Sequence, residues 1–177
     1  MRTSIILKLF LFLNSLLSIP GYLIKFTNLE CHVIDKEYAN IQQCRLKVVD
    51  RNKVSLNVHL GMLQLPLSNI TIGGQLLRKS NDYRPFLYNT TADFCSFVKS
   101  GHRFLFWKIL YDIIRPYTNA NHTCPYNDDL IVKDLLLNEN LMKLVLFPTG
   151  DYMLRLYMYS FNDLKVKANV YIAIKEY

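Results

Sequence analysis

Hydrophobic and polar residues alternate with a period of two along most of this chain, and that pattern predicts strands. Between Ile24 and about Lys79 the apolar set Val54, Leu56, Val58 and Leu60 alternates with Ser55, Asn57 and His59. Cys44, Leu46 and Val48 alternate with Arg45 and Lys47 in the same way. Asp50-Arg51-Asn52-Lys53 separates the two runs as a polar turn, so residues 44–60 read as a hairpin. Ile70 and Ile72 continue the alternation beyond an interruption at Pro66. Gly73-Gly74 is expected as a bulge or bend in that strand. Strict alternation implies antiparallel pairing with one buried face.

The period changes over residues 91–115. Phe94, Phe97 and Val98 sit at helical spacing. Thr90, Thr91 and Asp93 supply capping groups before them, and Ser100-Gly101 supplies a stop. A second helical run from Arg103 to Arg115 ends at Pro116. It is apolar on most sides, so it should be substantially covered. Phe147-Pro-Thr-Gly-Asp151 reads as a turn, and Tyr152–Phe161 follows as a Tyr-rich strand. After a turn at Asn162-Asp163, Leu164, Val166, Ala168, Val170, Ile172 and Ile174 alternate with Lys165, Lys167, Asn169, Tyr171, Ala173 and Lys175. The expectation is one mainly β domain, an antiparallel two-sheet sandwich with a helical insertion at about 91–115.

The first twenty-one residues stand apart. Arg2 is followed by a run of Leu, Ile and Phe to Ile19, then by Ser18 and Gly21 as small residues near a cleavage point. This is the layout of a signal peptide, cut after Gly21, leaving residues 22–177 as the mature domain. Lys8 and Asn14 interrupt the run, which argues against a membrane anchor. Export predicts a secreted, extracellular protein that is not an integral membrane protein.

Export changes how the cysteines read. Cys31, Cys44, Cys95 and Cys124 form an even set without C-x-x-C spacing, which favours disulfides over a metal site. Four cysteines allow three pairings. The local one, Cys31 with Cys44 across an expected hairpin and Cys95 with Cys124 around the helical segment, is preferred. Asn69, Asn89 and Asn121 begin N-x-[ST] sequons and become candidate glycosylation sites. Asn69 is expected on the outward side of a strand.

Composition narrows function mainly by exclusion. The chain has 177 residues, a formal charge of +7 and 51% hydrophobic residues. Loss of Arg2 and Lys8 with the leader lowers the charge, while the hydrophobic share stays near half. The remaining Lys and Arg are scattered over strand faces, so no nucleic-acid partner is expected. None of the familiar catalytic motifs occurs, and no cofactor is expected. His32, His59, His102 and His122 read as surface or turn residues, and Asp128-Asp129 as a turn. The protein is therefore expected not to be an enzyme. The aromatic residues point elsewhere: Phe104, Phe106, Trp107 and Tyr111 beside a sandwich bring more apolar surface than one sheet face requires. They imply a large core or an apolar pocket, with Leu56, Val58, Phe94, Phe97, Phe104, Trp107 and Tyr111 as candidate lining.

Five ordered segments carry a family resemblance: Cys44–Lys53, Asp82–Asn89, Asp93-Phe-Cys95, Asn121–Tyr126 and Phe147–Tyr152. Together they resemble a large insect family of secreted domains of unknown function. That family is grouped with the lipid-recognition (ML) superfamily, which includes the Niemann-Pick type C cholesterol carrier, the ganglioside activator and insect chemosensory proteins. The resemblance implies an immunoglobulin-like sandwich whose sheets part to admit an apolar ligand. The helical segment departs from the compact loop of the lipid carriers and stands where it could cover or fill such a cavity. Two functions follow as expectations. One is a secreted carrier or sensor for a lipid, hydrocarbon or pheromone-like molecule. The other is an extracellular interaction module for a receptor, without a ligand, using an exposed stripe of Tyr152, Tyr157 and Tyr159.

Overall fold

A computed structural model describes residues 22–100, 104–137 and 147–176. The leader, residues 101–103 (including Gly101, His102 and Arg103), residues 138–146 and Tyr177 lie outside the described residues. The described residues contain eight strands: β1 (Tyr22–Val33), β2 (Ala39–Asp50), β3 (Lys53–Met62), β4 (Thr71–Lys79), β5 (Tyr83–Asp93), β6 (Leu130–Leu136), β7 (Gly150–Ser160) and β8 (Asp163–Glu176). Two helices, α1 (Phe94–Ser100) and α2 (Leu105–Ile114), lie between β5 and β6, and α2 runs into a single 3-10 turn at Arg115–Tyr117. The strands form a five-stranded sheet, β1-β8-β7-β4-β5, and a three-stranded sheet, β2-β3-β6. All pairings are antiparallel. The mainly β sandwich with a helical insertion is as the periodicity predicts.

The hairpins follow from local chemistry. β2 and β3 turn through two residues between paired Asp50 and Lys53, with Asn52 at φ 69°. Asn tolerates the left-handed region there. β7 and β8 turn through Phe161 and Asn162, at φ 51° and 66°, both values that a primed two-residue turn needs. Phe161 pays a steric cost in that region that Asn162 largely escapes. Asn69 Oδ1 accepts a hydrogen bond from Phe161 N at 3.3 Å and ties the turn to the loop before β4.

β1 and β2 are not a hairpin. They belong to different sheets, and the Ile34–Tyr38 segment carries the chain across. Asp35 organises this crossing. Its carboxylate accepts from the Glu37 and Tyr38 amides at 3.0 and 3.2 Å and from Lys165 Nζ at 2.8 Å. The Lys165 ammonium also lies 5.3 Å from the centre of the Tyr38 ring. The Cys31–Cys44 disulfide consequently staples one sheet to the other, rather than bridging neighbouring strands of one sheet.

Gly73 and Gly74 are not at a bulge. They pair in register with Thr91 and Thr90 of β5 and with Tyr157 and Leu156 of β7. Their role is steric. A Cβ on Gly74 would lie 2.7 Å from Trp107 Cη2 and 2.9 Å from Phe106 Cε1. The missing side chain lets α2 rest directly on β4. The irregularities of these edge pairings lie elsewhere. β5 carries extra residues opposite Gln75–Leu77, with Leu87 at φ 60°, and it contains Pro85, which an edge strand tolerates. β6 carries one extra residue opposite Leu56–Val58, with Asp134 at φ 52° and its N–H donating to the buried Asn57 Oδ1 at 2.9 Å.

Two measurements test these constraints. Gly74→Ala is expected to cost about 1–3 kcal/mol by overpacking against Trp107. An unchanged denaturation midpoint would show that α2 does not press on β4. The second concerns pH. Lys165 first, and then the Glu37 and Tyr38 amides, hold the Asp35 carboxyl below its ordinary value of 3.8. A depressed carboxylate stabilises the fold above its unfolded value and loses that contribution as pH falls through the folded value. Thermal melts should therefore show a shallower loss of stability below about pH 4 in Asp35→Asn than in the parent.

Candidate functional site

An apolar cavity of about 260 Å³ lies between the five-stranded sheet and the helices. Its floor is the inner face of the large sheet: Ile72 on β4, Leu156 and Met158 on β7, Val166 and Ala168 on β8. Period-two alternation puts these side chains on one face. Leu60 of β3 contributes from the small sheet, and Thr118 and Ala120 from the segment after the 3-10 turn.

The roof is helical. On α2, Trp107, Leu110, Tyr111 and Ile114 line the cavity, and their spacing of 3, 4 and 7 residues marks one helix face. Lys108 and Asp112 pair at 2.6 Å on an exposed side of the same helix. α1 contributes Phe94 and Phe97. Its start is fixed three times. Asp93 Oδ1 accepts from Ser96 N at 2.6 Å, Phe94 N donates to Ile70 O at 2.8 Å, and Cys95 is bonded to Cys124. The Asp93 contact is an N-terminal cap, as the sequence suggests. Tyr111 meets Phe94 and Phe97 edge-on, at 6.1 and 5.7 Å between ring centres. Phe94 stacks on Tyr126, whose hydroxyl donates to the His122 carbonyl. Burial pushes the Tyr126 hydroxyl up to about 12, so it remains a neutral donor.

Few polar atoms of this wall are free. Thr118 Oγ1 donates to Ile131 O at 2.7 Å and accepts from Ala120 N at 3.1 Å. Tyr111 donates to Ala120 O at 3.3 Å, and burial raises its hydroxyl above the ordinary value. Tyr157 pairs with Gly73 on the opposite side of the sheet, where its Cβ lies 3.3 Å from the point a Gly73 Cβ would occupy. Trp107 differs. Its ring is 4% exposed, and Nε1 is buried without a hydrogen-bond partner. Leaving such a donor unsatisfied costs about 1–3 kcal/mol.

Of the seven residues expected to line a pocket, Phe94, Phe97, Trp107 and Tyr111 do so. Leu56 is buried in the core between the sheets, and Val58 packs against that same core. They point inward as the alternation requires, but further along the sandwich than the cavity. Phe104 is 52% exposed, because it precedes the first turn of α2 and its side chain is not carried to the buried face. Several lining residues escaped the sequence reading: Leu60, Ile72, Leu156, Met158, Val166 and Ala168. Their alternation marked them as inward-facing, but nothing local told pocket from core.

Other expectations resolve plainly. Tyr152 does not belong to an exposed stripe. It is fully buried, its hydroxyl donates to Pro148 O at 2.7 Å, and its ring stacks on Phe147. Tyr157 and Tyr159 are half-buried. Asp129 is more than a turn residue: it accepts from Met62 N at 2.9 Å and pairs with His59 Nε2 at 2.8 Å, and the Met62 amide first, then His59, lowers its carboxyl. Asn69 sits in the loop before β4 rather than in a strand, Asn89 in β5, and Asn121 near the polar hollow formed by Lys108, Asp112, Arg115 and His122. All three sequon asparagines are exposed.

The geometry defines a disulfide-stapled antiparallel sandwich with a helical cover over an apolar cavity. Residues 72–154, just under half of the chain, match the model of a family described as protein of unknown function (DUF1091). That span contains β4, β5, both helices, β6 and the first part of β7, so it holds the cavity roof and part of its floor. No curated protein matches the chain. No helix among the described residues is long and apolar enough to cross a membrane.

Cys95–Cys124 closes a loop of 29 residues around both helices. The double substitution Cys95→Ala, Cys124→Ala should lower unfolding free energy by about 3–4 kcal/mol in denaturant titrations. A loss under about 1 kcal/mol would mean that the roof is held without the disulfide.

Proposed function

We propose that this is a secreted, non-enzymatic binding protein for an apolar ligand such as a lipid, hydrocarbon or pheromone-like molecule. The observation that carries the reading is the cavity of about 260 Å³ with an almost wholly apolar wall. An apolar cavity of roughly 150 Å³ already admits a benzene-sized guest. Each methylene buried there would contribute about 0.8 kcal/mol to affinity. Export fits the two disulfides and the exposed sequons, with Asn69, Asn89 and Asn121 proposed as glycan carriers. Membership of the lipid-recognition superfamily and a chemosensory role are the finer form of the same proposal, and rest on the sequence resemblance.

The alternative, a receptor-binding module without a ligand, has less support. Its aromatic stripe loses Tyr152 to the interior, leaving Tyr157 and Tyr159 half-buried beside one another.

Native mass spectrometry of protein secreted from a eukaryotic host should detect a co-purifying apolar molecule or a stable adduct with an added fatty ester. Ala168→Phe would fill the floor and should reduce binding by roughly tenfold or more while the protein still folds. A parent protein that takes up no apolar compound, or an Ala168→Phe variant that binds equally well, would defeat the reading.

A further inference from the structure

We infer that the polar hollow beside the roof seats a covalently attached sugar: the first N-acetylglucosamine of a glycan on Asn121 packs into it and braces α1 against α2. This rests on the export reading, which supplies the glycan, and stands apart from ligand binding in the apolar cavity. The hollow measures about 280 Å³, and Asn121 lies in its wall. Asn121-His122-Thr123 is a sequon, and all three residues are exposed. The oligosaccharide comes from a lipid pyrophosphate donor of the secretory pathway. C1 of its first sugar bonds to Asn121 Nδ2, the amide loses one proton, and the lipid pyrophosphate leaves.

The lining suits a sugar better than an ion. On α2, Lys108, Tyr111 and Asp112 line the hollow, and Arg115 follows one turn on. Their spacing of 3, 4 and 7 residues marks one helix face. That face is rotated by about 100° from the one over the apolar cavity, and Tyr111 stands on both. Phe97 of α1 also lines both spaces. A pyranose carries hydroxyls around its rim and C–H groups on its faces. Lys108 and Arg115 can donate to the hydroxyls, and Asp112 can accept from them. Lys108 and Asp112 pair at 2.6 Å, yet their side chains stay 42% and 53% exposed, so both are within reach of a sugar. Phe97, Val98 and Tyr111 offer an apolar surface to the C–H face. A bare anion would meet Asp112 and gain nothing from the rings. The same sugar would touch α1, α2 and the 121–123 segment, the three parts held inside the Cys95–Cys124 loop. It would restrain the roof from outside, and Phe97 and Tyr111 would carry that restraint to the cavity wall.

The test uses the full-length sequence secreted from a kifunensine-treated eukaryotic host, so that endoglycosidase H can trim every glycan to its first sugar. Peptide mass spectra read the occupancy of each sequon. Thermal melts and the acetylation rate of Lys108 are then compared among the untrimmed parent, the trimmed parent and trimmed Asn121→Gln. Trimming is expected to leave both readouts unchanged. Asn121→Gln is expected to melt about 3 °C or more below the trimmed parent. Its Lys108 should acetylate roughly threefold or more faster, because no sugar hydroxyl then engages the amine. Asn89→Gln, treated alike, should match the trimmed parent in both. Nuclear Overhauser contacts between sugar protons and the Phe97 or Tyr111 ring are expected in the trimmed parent, a measurement that needs no variant. Absence of those contacts with Asn121 occupied, or an Asn121→Gln protein that melts and acetylates like the trimmed parent, would overturn the inference. So would a bare Asn121 in a secreted chain that carries glycans at Asn69 or Asn89, and export would then stand. A chain retained in the cell without any glycan would remove the export reading and this inference together.

Discussion

The two sheets are unequal, and most of the architecture follows from that mismatch. Strands in a sheet lie roughly 4.8 Å apart, so five strands span about 10 Å more than three. The small sheet, β2-β3-β6, cannot cover the inner face of β1-β8-β7-β4-β5. An α-helix is about 10 Å across, close to the missing width. The insertion between β5 and β6 supplies two helices for that gap. Gly74 is the point at which the fit is made close, because a side chain on β4 there would collide with Trp107 and Phe106.

A helix and a twisted sheet do not interlock as two sheets do. The aromatic rings of α1 and α2 meet one another edge-on, at centre distances of about 5 to 6 Å, and bridge the space as an arch instead of filling it. The cavity is the space beneath that arch. The two disulfides, closing loops of 13 and 29 residues, together contribute about 6–7 kcal/mol in the chain-entropy model. Cys31–Cys44 holds sheet to sheet and Cys95–Cys124 holds the roof.

The sequence carried the strands well where a strand keeps strict alternation. β8 is the clearest case, and the β2–β3 hairpin closes at the predicted polar turn. β5 was illegible because its extra residues and Leu87 in the left-handed region break the period of two. β1 and β2 looked like a hairpin because they are neighbours in sequence. Only the three-dimensional pairing of β1 with β8 shows that the chain changes sheet between them. For the site, helical spacing placed Trp107 and Tyr111 together, and Phe94 and Phe97 together. Leu56 and Leu156 carry the same inward signal, yet one is core and the other cavity wall. That difference is set by what lies opposite, which is long-range information. The glycines illustrate the same limit: Gly74 matters for a ring more than thirty positions away, and local sequence shows only that a side chain is missing.

The distribution of polar atoms around the cavity constrains its use more than its volume does. A large apolar core tolerates Tyr and Trp where their polar ends find partners. Tyr126, Tyr152 and Tyr111 obey this, each donating to a nearby backbone carbonyl. Trp107 Nε1 does not, and neither does Tyr38 Oη in a separate part of the core. An apolar wall alone would accept many greasy molecules of suitable size with little preference among them.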